Sequence, residues 1–139
     1  MGKISNNLSK RRTLYDEMIR LYEENKGKVI SIRKIHVRDQ DFEGITGVTR
    51  SVLSSIKKEK SRPKLSTLVT FCISLKLDII ETFDLIEIAG YKLTQNYKID
   101  RAYLYLIQNN KNGDIEECNK YLESIGIEKQ HHLGVKSKE

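Results

Sequence analysis

The sequence predicts an all-α protein, a bundle of helices separated by Gly, Asn and Asp. Apolar residues recur at helical spacing, as with Leu53 and Ile56, which are three residues apart and therefore share one helix face. Residues that cap helix N-termini well precede several of these apolar stripes, namely Thr49, Asp78 and Asp114. With 139 residues, 38% hydrophobic and 32% charged, the chain is long enough for one domain of ordinary size with a buried core.

The first predicted helix spans about residues 9–26, and Gly27 is its predicted end. Its apolar stripe consists of Leu14, Met18, Leu21 and Tyr22. Isoleucine and valine alternate with other residues in the stretch 28–38, which favours a strand or irregular structure. A short helix from Ser31 is the alternative. Residues 1–38 are thus interpreted as an N-terminal helix and a connecting segment.

Two short helices joined by a tight turn are predicted for the next part of the chain. The first spans residues 39–46, the turn is Gly47-Val48-Thr49, and the second helix spans residues 49–58. Thr49 suits the N-cap because its hydroxyl can accept a hydrogen bond from a free amide two or three residues on. Five cations and one anion follow within residues 57–64, which indicates either a phosphate-binding loop or a solvated one.

Four further helices are predicted after that basic stretch. They span about residues 65–76, 78–89, 99–109 and 114–125. The first of the four is apolar nearly all round, which places it at the centre of the domain. Asp78 with Glu81 forms a capping box for the second. The chain therefore divides into a core at residues 39–93, a C-terminal helical hairpin at 94–126, and a flexible tail at 127–139, whose apolar content is low.

Residues 47–68, GVTRSVLSSIKKEKSRPKLSTL, resemble the recognition half of the phage-repressor-type helix-turn-helix family, also called the Xre or lambda-repressor-like family. A second segment, LIEIAGYKL at residues 85–93, is similar to one that follows the fourth helix in a subset of Xre-type regulators from low-GC bacteria. Together the two matches cover about residues 40–93. The sequence departs from the family pattern at Glu43, Thr46 and Glu59. At these positions the family usually has, in turn, a small residue, Leu or Ile, and Gly.

The resemblance implies a lambda-repressor-like helix-turn-helix bundle whose helix 49–58 lies in the major groove of DNA. Direct base readout is implied for Arg50, Ser51, Val52 and Ser55. Phosphate contacts are implied for Gln40, Thr49, Lys57, Lys58, Lys60, Arg62 and Lys64. Arg50 is the leading candidate for base readout, because a guanidinium can hold guanine O6 and N7 with two hydrogen bonds; the alternative is a phosphate contact alone. Val52 either touches a thymine methyl group or packs inward.

The distribution of charge is consistent with nucleic-acid binding. Residues 1–64 contain 16 Lys and Arg against 8 Asp and Glu, or +8, and residues 65–139 contain 9 against 11, or −2, which sum to the net charge of +6. Because a single motif of this kind reads only a few base pairs, we expect a homodimer. Its interface is assigned to residues 99–126, and specifically to Tyr103, Leu106, Ile107, Leu122 and Ile125. The alternative is that these helices complete the core of the monomer.

The sequence shows no Gly-rich phosphate loop, no paired-Cys metal spacing and no helix with two His at ligand spacing. We therefore expect no enzymatic activity, no metal and no cofactor. The start of the chain lacks the apolar segment of a signal peptide, and no stretch approaches the roughly 18 apolar residues of a spanning helix, so we expect a cytoplasmic protein with no membrane partner. Cys72 and Cys118 are each predicted to be reduced and buried.

These observations together predict a sequence-specific, double-stranded DNA-binding regulator of transcription. The alternative is a helix-turn-helix protein that acts through protein binding, as an antitoxin or a phage-encoded inhibitor, with or without repression of its own operon. Double-stranded DNA and a second copy of the chain are the expected partners, and the alternative adds a protein partner.

Overall fold

A computed structural model describes residues 13–109 and 114–134 of the protein. Within these ranges the fold is all-helical, with seven α-helices and no strand, which confirms the predicted all-α class. The helices are α1 (Leu14–Arg33), α2 (Phe42–Thr46), α3 (Arg50–Lys57), α4 (Leu65–Ser74), α5 (Ile79–Ile88), α6 (Lys98–Asn109) and α7 (Ile115–Ser124). One 3-10 turn lies between α1 and α2 at Val37–Asp39, and another lies after α7 at Lys129–His131. The helix start predicted at residue 9 lies outside the described residues.

Helix α4 lies at the centre of the molecule, as its apolar sequence predicts. It packs against α2, α5, α6 and α7. Its residues Leu68 and Phe71 are buried in a hydrophobic cluster with side chains of α1, α2, α3 and α5. Its residues Val69 and Ile73 are buried in a second cluster with side chains of α6 and α7. One helix therefore joins the N-terminal and C-terminal parts of the fold.

Helix α1 is longer than predicted, because it does not end at Gly27. A glycine inside an exposed helix costs only about 1 kcal/mol relative to alanine. Val29, which is fully buried, packs the following turn against the core and offsets that cost. The apolar stripe is also interrupted by Asn25, which is buried and donates from Nδ2 to the Leu21 carbonyl at 2.8 Å. Because Asn25 is polar, the apolar pattern of the sequence stops there, although the buried face of the helix continues.

The prediction of a strand or irregular structure for residues 28–38 is wrong over most of that stretch. Residues up to 33 continue α1, and Lys34 closes this helix in the left-handed conformation with a φ of 54°. The helix is thus a continuation of α1, and not a new one that begins at Ser31. The helix continues because Val29 extends the buried face of Leu21 and Asn25 at four-residue spacing, whereas Ile32, one of the alternating residues, is 50% exposed.

The predicted N-caps are confirmed. Thr49, Asp78 and Asp114 each accept, through the side chain, a hydrogen bond from the backbone amide three residues on. Around Asp78 the predicted capping box is complete, because the Glu81 carboxylate in turn accepts from the Asp78 amide at 3.2 Å. Each such cap contributes about 1 kcal/mol to helix stability, so α3, α5 and α7 begin at positions that local sequence determines.

The tail predicted to be flexible over residues 127–139 is packed at Ile127, His132 and Leu133, whereas residues 128–130 are exposed. Leu133 is buried in the second hydrophobic cluster. Its backbone amide donates to the Asn119 side-chain oxygen at 2.7 Å, and its carbonyl accepts from the Asn119 side-chain nitrogen at 2.9 Å. A single leucine in a polar stretch gives no periodic signal, which is why the sequence did not reveal this packing. Residues 135–139 lie outside the described residues.

Three of the five side chains assigned to the dimer interface are buried within the chain itself. These are Tyr103, Leu106 and Leu122. The Tyr103 hydroxyl also donates to the His131 carbonyl at 2.6 Å. The two others, Ile107 and Ile125, are half-buried at the edge of the same cluster. Because α4 and the residues after α7 already cover this apolar area, the helices complete the core of the monomer, and the three buried side chains cannot contact a second copy.

Candidate nucleic-acid interface

Helices α2 and α3 are joined by a turn whose shape depends on Gly47. This glycine has a φ of 75°, and a Cβ built on it would lie 2.8 Å from Thr70 Cγ2, so both the backbone and the space require glycine. Val48, next in the turn, is buried. The Thr46 hydroxyl accepts from the Val48 amide at 3.2 Å and donates to the Phe42 carbonyl at 2.7 Å. Thr46, where the resembled family has Leu or Ile, is therefore buried without an unsatisfied polar atom.

Helix α3 presents one polar face to solvent and one apolar face to the core. Ile56 is buried, and Val52 and Leu53 are half-buried against the first hydrophobic cluster. Arg50 and Ser51 are exposed at the start of the opposite face. The Thr49 hydroxyl, predicted to contact phosphate, accepts from the Val52 amide at 3.1 Å and so forms the N-cap. This arrangement leaves the first turn of α3 accessible to a large ligand.

The side chains predicted for base readout do not all lie on that accessible face. Val52 packs inward, which is the second of the two roles considered for it. Ser55 is half-buried, whereas Ser54, which was not among the predicted residues, is exposed. The reason is the helical period, which brings a residue four positions after Arg50 back to the same face. Helical spacing counted from Arg50 identifies Ser54 from the sequence alone.

Two of the five cations in residues 57–64 are engaged with aromatic rings of the chain. Lys57 Nζ lies 5.4 Å from the centroid of the Tyr15 ring in α1. The Arg62 guanidinium carbon lies 4.2 Å from the centroid of the Tyr91 ring, and Arg62 Nη1 donates to the Gly90 carbonyl at 3.1 Å. Both side chains remain exposed in part, so the rings orient the charges without removing them from solvent.

The remaining cations, Lys58, Lys60 and Lys64, are exposed directly after α3. Glu59 lies between two of them in the left-handed conformation, with a φ of 56°. This is the position at which the resembled family commonly has glycine, and the backbone of this chain takes the same conformation with a non-glycine residue. A residue with a side chain costs roughly 1 kcal/mol there. The loop therefore keeps its path at some cost in stability.

The start of α2 is acidic. Asp41 caps the helix by accepting from the Gly44 amide at 2.7 Å, and Asp39 and Glu43 lie on either side of it. Gln40, predicted to contact phosphate, instead donates from Nε2 to the Ile35 carbonyl at 3.1 Å and is half-buried. Exposed cations therefore follow α3 directly, whereas Asp39, Asp41 and Glu43 surround the start of α2.

Arg33 is a positioning residue that the sequence reasoning missed. Its Nη1 donates to the Ile45 carbonyl in α2 at 3.0 Å and to the Ser74 carbonyl at the end of α4 at 3.1 Å. Burial lowers the pKa of Arg33 from its ordinary value, and the charge of Asp114 acts in the opposite direction. A cation at the C-terminal ends of two helices satisfies carbonyls that have no partner within the helix. Arg33 therefore fixes α2 relative to α4.

Among the described residues, no group of three or more His, Cys, Asp or Glu is placed to hold a metal ion. Cys72 and Cys118 are both buried, as predicted. Burial raises the pKa of the Cys72 thiol to about 12, so this side chain is a small apolar group of the core at neutral pH.

Comparison with known proteins identifies no matching family model, no similar curated protein and no similar solved structure. Within the part of the chain that the structure describes, no helix has the length and apolar character needed to cross a membrane.

Proposed function

We propose that this protein is a sequence-specific regulator of transcription that binds double-stranded DNA with α3 in the major groove. The observation that carries the proposal is the outer face of α3, where Arg50, Ser51 and Ser54 are exposed while the opposite face packs on the core. A helix held from behind in this way can enter a groove about 12 Å wide without losing its own packing.

The residues on this face have the chemistry for reading base edges. Arg50 can donate two hydrogen bonds to guanine, and the two serine hydroxyls can donate or accept while staying short enough to let the helix approach closely. Exposed Lys58, Lys60 and Lys64 follow at once and supply charge for the phosphates, which hold the helix in register without specifying sequence. The excess of positive charge in residues 1–64 supports the same assignment.

The finer assignment of residues 39–93 to a lambda-repressor-like helix-turn-helix bundle is part of this proposal. It is supported by the order of α2, a three-residue turn, α3, a basic loop and two apolar helices, together with the two sequence segments that resemble the family. A regulator of this kind works in the cytoplasm, as a homodimer that matches a palindromic site, and needs no cofactor.

Fluorescence anisotropy on DNA duplexes tests the proposal. The probes are the DNA upstream of the protein's own gene, duplexes selected from a random pool by repeated binding, and an unselected random duplex. We expect selected duplexes to bind at least about 10³-fold more tightly than random DNA at physiological salt. We also expect log K to fall linearly with log salt concentration, by about 0.9 per phosphate contact. Absence of binding to every duplex at low salt would overturn the proposal.

A matched pair of triple variants separates a specific basic surface from general charge. Replacing Lys58, Lys60 and Lys64 with Gln should lower the salt slope by up to about 0.9 for each lost contact. The control replaces Lys92, Lys98 and Lys129 with Gln, which removes the same charge from exposed positions in the C-terminal half. If the first variant keeps the slope of both the wild-type protein and the control, the loop at residues 58–64 makes no phosphate contacts.

Protein binding is the second candidate function, and the outer face of α5 favours it. Ile80 is 72% exposed, and Ile79, Phe83 and Ile88 are 44%, 36% and 43% exposed on the same helix. Exposed apolar side chains grouped on one helix, here with exposed Asp84 and Glu87 among them, suit a surface for another protein chain. An antitoxin or a phage-encoded inhibitor that also represses its own operon would use this patch for its partner and α3 for DNA. Substitutions on α5 therefore distinguish the two functions if they abolish protein binding and leave DNA binding intact.

A further inference from the structure

The basic loop, residues 58–64, is held to the end of α5 by three contacts. Arg62 stacks on the Tyr91 ring with 4.2 Å between guanidinium carbon and ring centroid, and donates to the Gly90 carbonyl at 3.1 Å. The Tyr91 hydroxyl donates to the Pro63 carbonyl at 2.7 Å. Arg62, Pro63, Gly90 and Tyr91 thus hold each other, and we call these four residues the clasp.

The other end of the loop is fixed by the C-terminus of α3. The Lys58 amide donates to the Ser54 carbonyl at 3.0 Å, and the Lys60 amide donates to the Ser55 carbonyl at 3.1 Å. Glu59, between them, takes the left-handed conformation that such a helix end requires. The backbone of the loop is therefore held at its start by helix capping and at its end by the clasp.

The charged side chains of the loop fall into two groups, one that contacts the protein and one that is exposed. The Arg62 guanidinium lies over the Tyr91 ring, and one of its nitrogens donates to the Gly90 carbonyl. Lys58, Lys60 and Lys64 are exposed, and within the described part of the chain their ammonium groups form no ion pair. Pro63, between Arg62 and Lys64, is buried, and its fixed φ restricts the path by which the loop enters α4.

We propose that Arg62 and Tyr91 are positioning residues that hold the basic loop beside α3, so that Lys58, Lys60 and Lys64 reach the DNA backbone together. This inference rests on the proposed DNA-binding function. It assigns Arg62 a role through the loop and not through a phosphate contact of its own. A loop ordered before binding loses less conformational freedom on the DNA, so that phosphate contacts form as a set.

If the clasp holds the basic loop in place, the uncharged residue Tyr91 controls the salt dependence of DNA binding. Tyr91→Leu removes the ring and the hydroxyl without changing net charge. With the clasp open, we expect affinity for random and selected duplexes to fall by roughly tenfold. We also expect the salt slope to fall by about 0.9 for each phosphate contact that is lost. A residue that only stabilises the fold would leave the slope unchanged in protein that is still folded.

Three further variants separate the parts of the clasp. Tyr91→Phe keeps the ring under Arg62 and removes only the hydrogen bond to Pro63, so its effect should be smaller. Arg62→Lys keeps the charge but loses the flat guanidinium, and Arg62→Gln loses both. If position matters, Arg62→Lys behaves like Arg62→Gln; if Arg62 contacts phosphate directly, Arg62→Lys restores the slope. Tyr97→Leu is the control, since Tyr97 is 67% exposed and not part of the clasp.

Limited digestion with trypsin tests the clasp without DNA. Cleavage after Lys58 and Lys60 requires the loop to open, so Tyr91→Leu should speed cleavage at these two sites several-fold relative to the wild-type protein and to Tyr97→Leu. Thermal melts of each full-length variant establish that the binding and digestion temperatures lie below unfolding. Tyr91→Phe and Arg62→Lys, which change the fold least, keep the test decisive if Tyr91→Leu does not fold.

The outcomes distinguish the inference from the function on which it rests. Wild-type protein that binds no duplex at low salt sinks the proposed function and the role of the clasp with it. Wild-type protein that binds, with Tyr91→Leu and Arg62→Lys showing unchanged affinity, slope and digestion, sinks the clasp alone. A lower slope in Tyr91→Leu, faster digestion of its loop and failure of Arg62→Lys to restore binding establish the positioning role.

Discussion

Arg50 and Arg62 lie twelve residues apart in the same basic region and make different contacts. Arg50 is exposed at the first position of α3, where it can approach a base edge. Arg62 is stacked on Tyr91 and bonded to Gly90. Composition treats the two as equal charges, but their contacts predict different consequences of substitution. Arg50 should determine which sequence is bound, and Arg62 how well any sequence is bound.

Substitution of Arg50 tests this difference at the level of one residue. Arg50→Ala should cost about 1–3 kcal/mol on a selected duplex and relax the preference at one base pair, because a two-bond contact to guanine is lost. Arg50→Lys keeps the charge and should recover phosphate binding but not the base preference. Repeating the selection of duplexes with each variant measures both effects. An equal loss on selected and random DNA would show that Arg50 contacts only phosphate.

At the level of helices and turns, the sequence was informative where structure is determined locally. The caps at Thr49, Asp78 and Asp114 follow from side chains that bond their own neighbours, so they were predicted correctly. The helix end predicted at Gly27 and the flexible tail predicted around Leu133 are wrong, because contacts with other parts of the chain determine both. Gly27 continues a helix that is held by packing, and Leu133 is buried only because distant α4, α6 and α7 provide the pocket.

Prediction of the candidate site from the sequence also succeeds only where structure is determined locally. The exposure of Arg50 follows from its place after a cap, and that of Ser54 from helical spacing. The ring under Arg62 comes from Tyr91, 29 residues later, and the carbonyls that bind Arg33 belong to α2 and α4. Contacts between residues so far apart in sequence leave no pattern in a single chain. They appear only when the helices are assembled.

The loop after α3 offers a prediction that combines stability with binding. Glu59→Gly should raise the free energy of unfolding by up to about 1 kcal/mol, because glycine accepts the φ of 56° without strain. It should also tighten binding to all duplexes at low salt, since an anion between Lys58 and Lys60 is removed. Urea unfolding and anisotropy measure the two effects.

Two control variants separate these effects. Lys34→Gly, at a φ of 54°, should gain stability without the gain in DNA binding. Glu59→Gln should gain binding without the gain in stability, because the charge is removed and the backbone strain stays. If Glu59→Gly gains no stability while Lys34→Gly does, the loop takes a path other than the one described.

The segment after α7 gives a second prediction at this level. Leu133→Ala should lower the free energy of unfolding by about 2–5 kcal/mol, because a fully buried leucine leaves a cavity in the cluster around Tyr103 and Leu122. Lys129→Ala, at an exposed position of the same segment, should change stability by less than about 0.5 kcal/mol. Urea denaturation followed by circular dichroism measures both. Equal stability of the two variants would mean that this segment is not packed in solution.

For the whole molecule, the central position of α4 decides what the C-terminal helices do. Because α4 supplies buried side chains to both hydrophobic clusters, α6 and α7 belong to the same body as α2 and α3. Removing α6 and α7 would expose Val69 and Ile73, so a truncated chain is a poor probe of assembly. Among the described helices, α5 has the most exposed large apolar side chains, namely Ile79, Ile80, Phe83 and Ile88. Assembly is therefore better tested by point substitutions on α5.

We predict a homodimer that uses this α5 surface. Sedimentation equilibrium of the intact protein at micromolar concentration should give a dimer, alone or on operator-length DNA, because two copies double the bases read and match a palindromic site. The double variant Ile80→Glu, Phe83→Glu should be monomeric, since four charges would be buried at the two-fold interface. It should lose affinity for a palindromic duplex while keeping the affinity of the wild-type protein for random DNA, because α3 and the basic loop are unchanged. Ile32→Glu, at a side chain 50% exposed at the end of α1, is the control and should remain dimeric.

The alternatives to this dimer give different results in the same experiment. An intact protein that is monomeric even with operator-length DNA present rules out the homodimer and leaves the α5 surface for a different protein, which the second candidate function requires. A double variant that still dimerises places the interface elsewhere on the molecule. Asp84 and Glu87 are exposed on the same helix, so a homodimer through α5 should also strengthen as salt concentration rises. DNA binding weakens as salt rises, so the opposite salt dependence of the two equilibria identifies which one each substitution has changed.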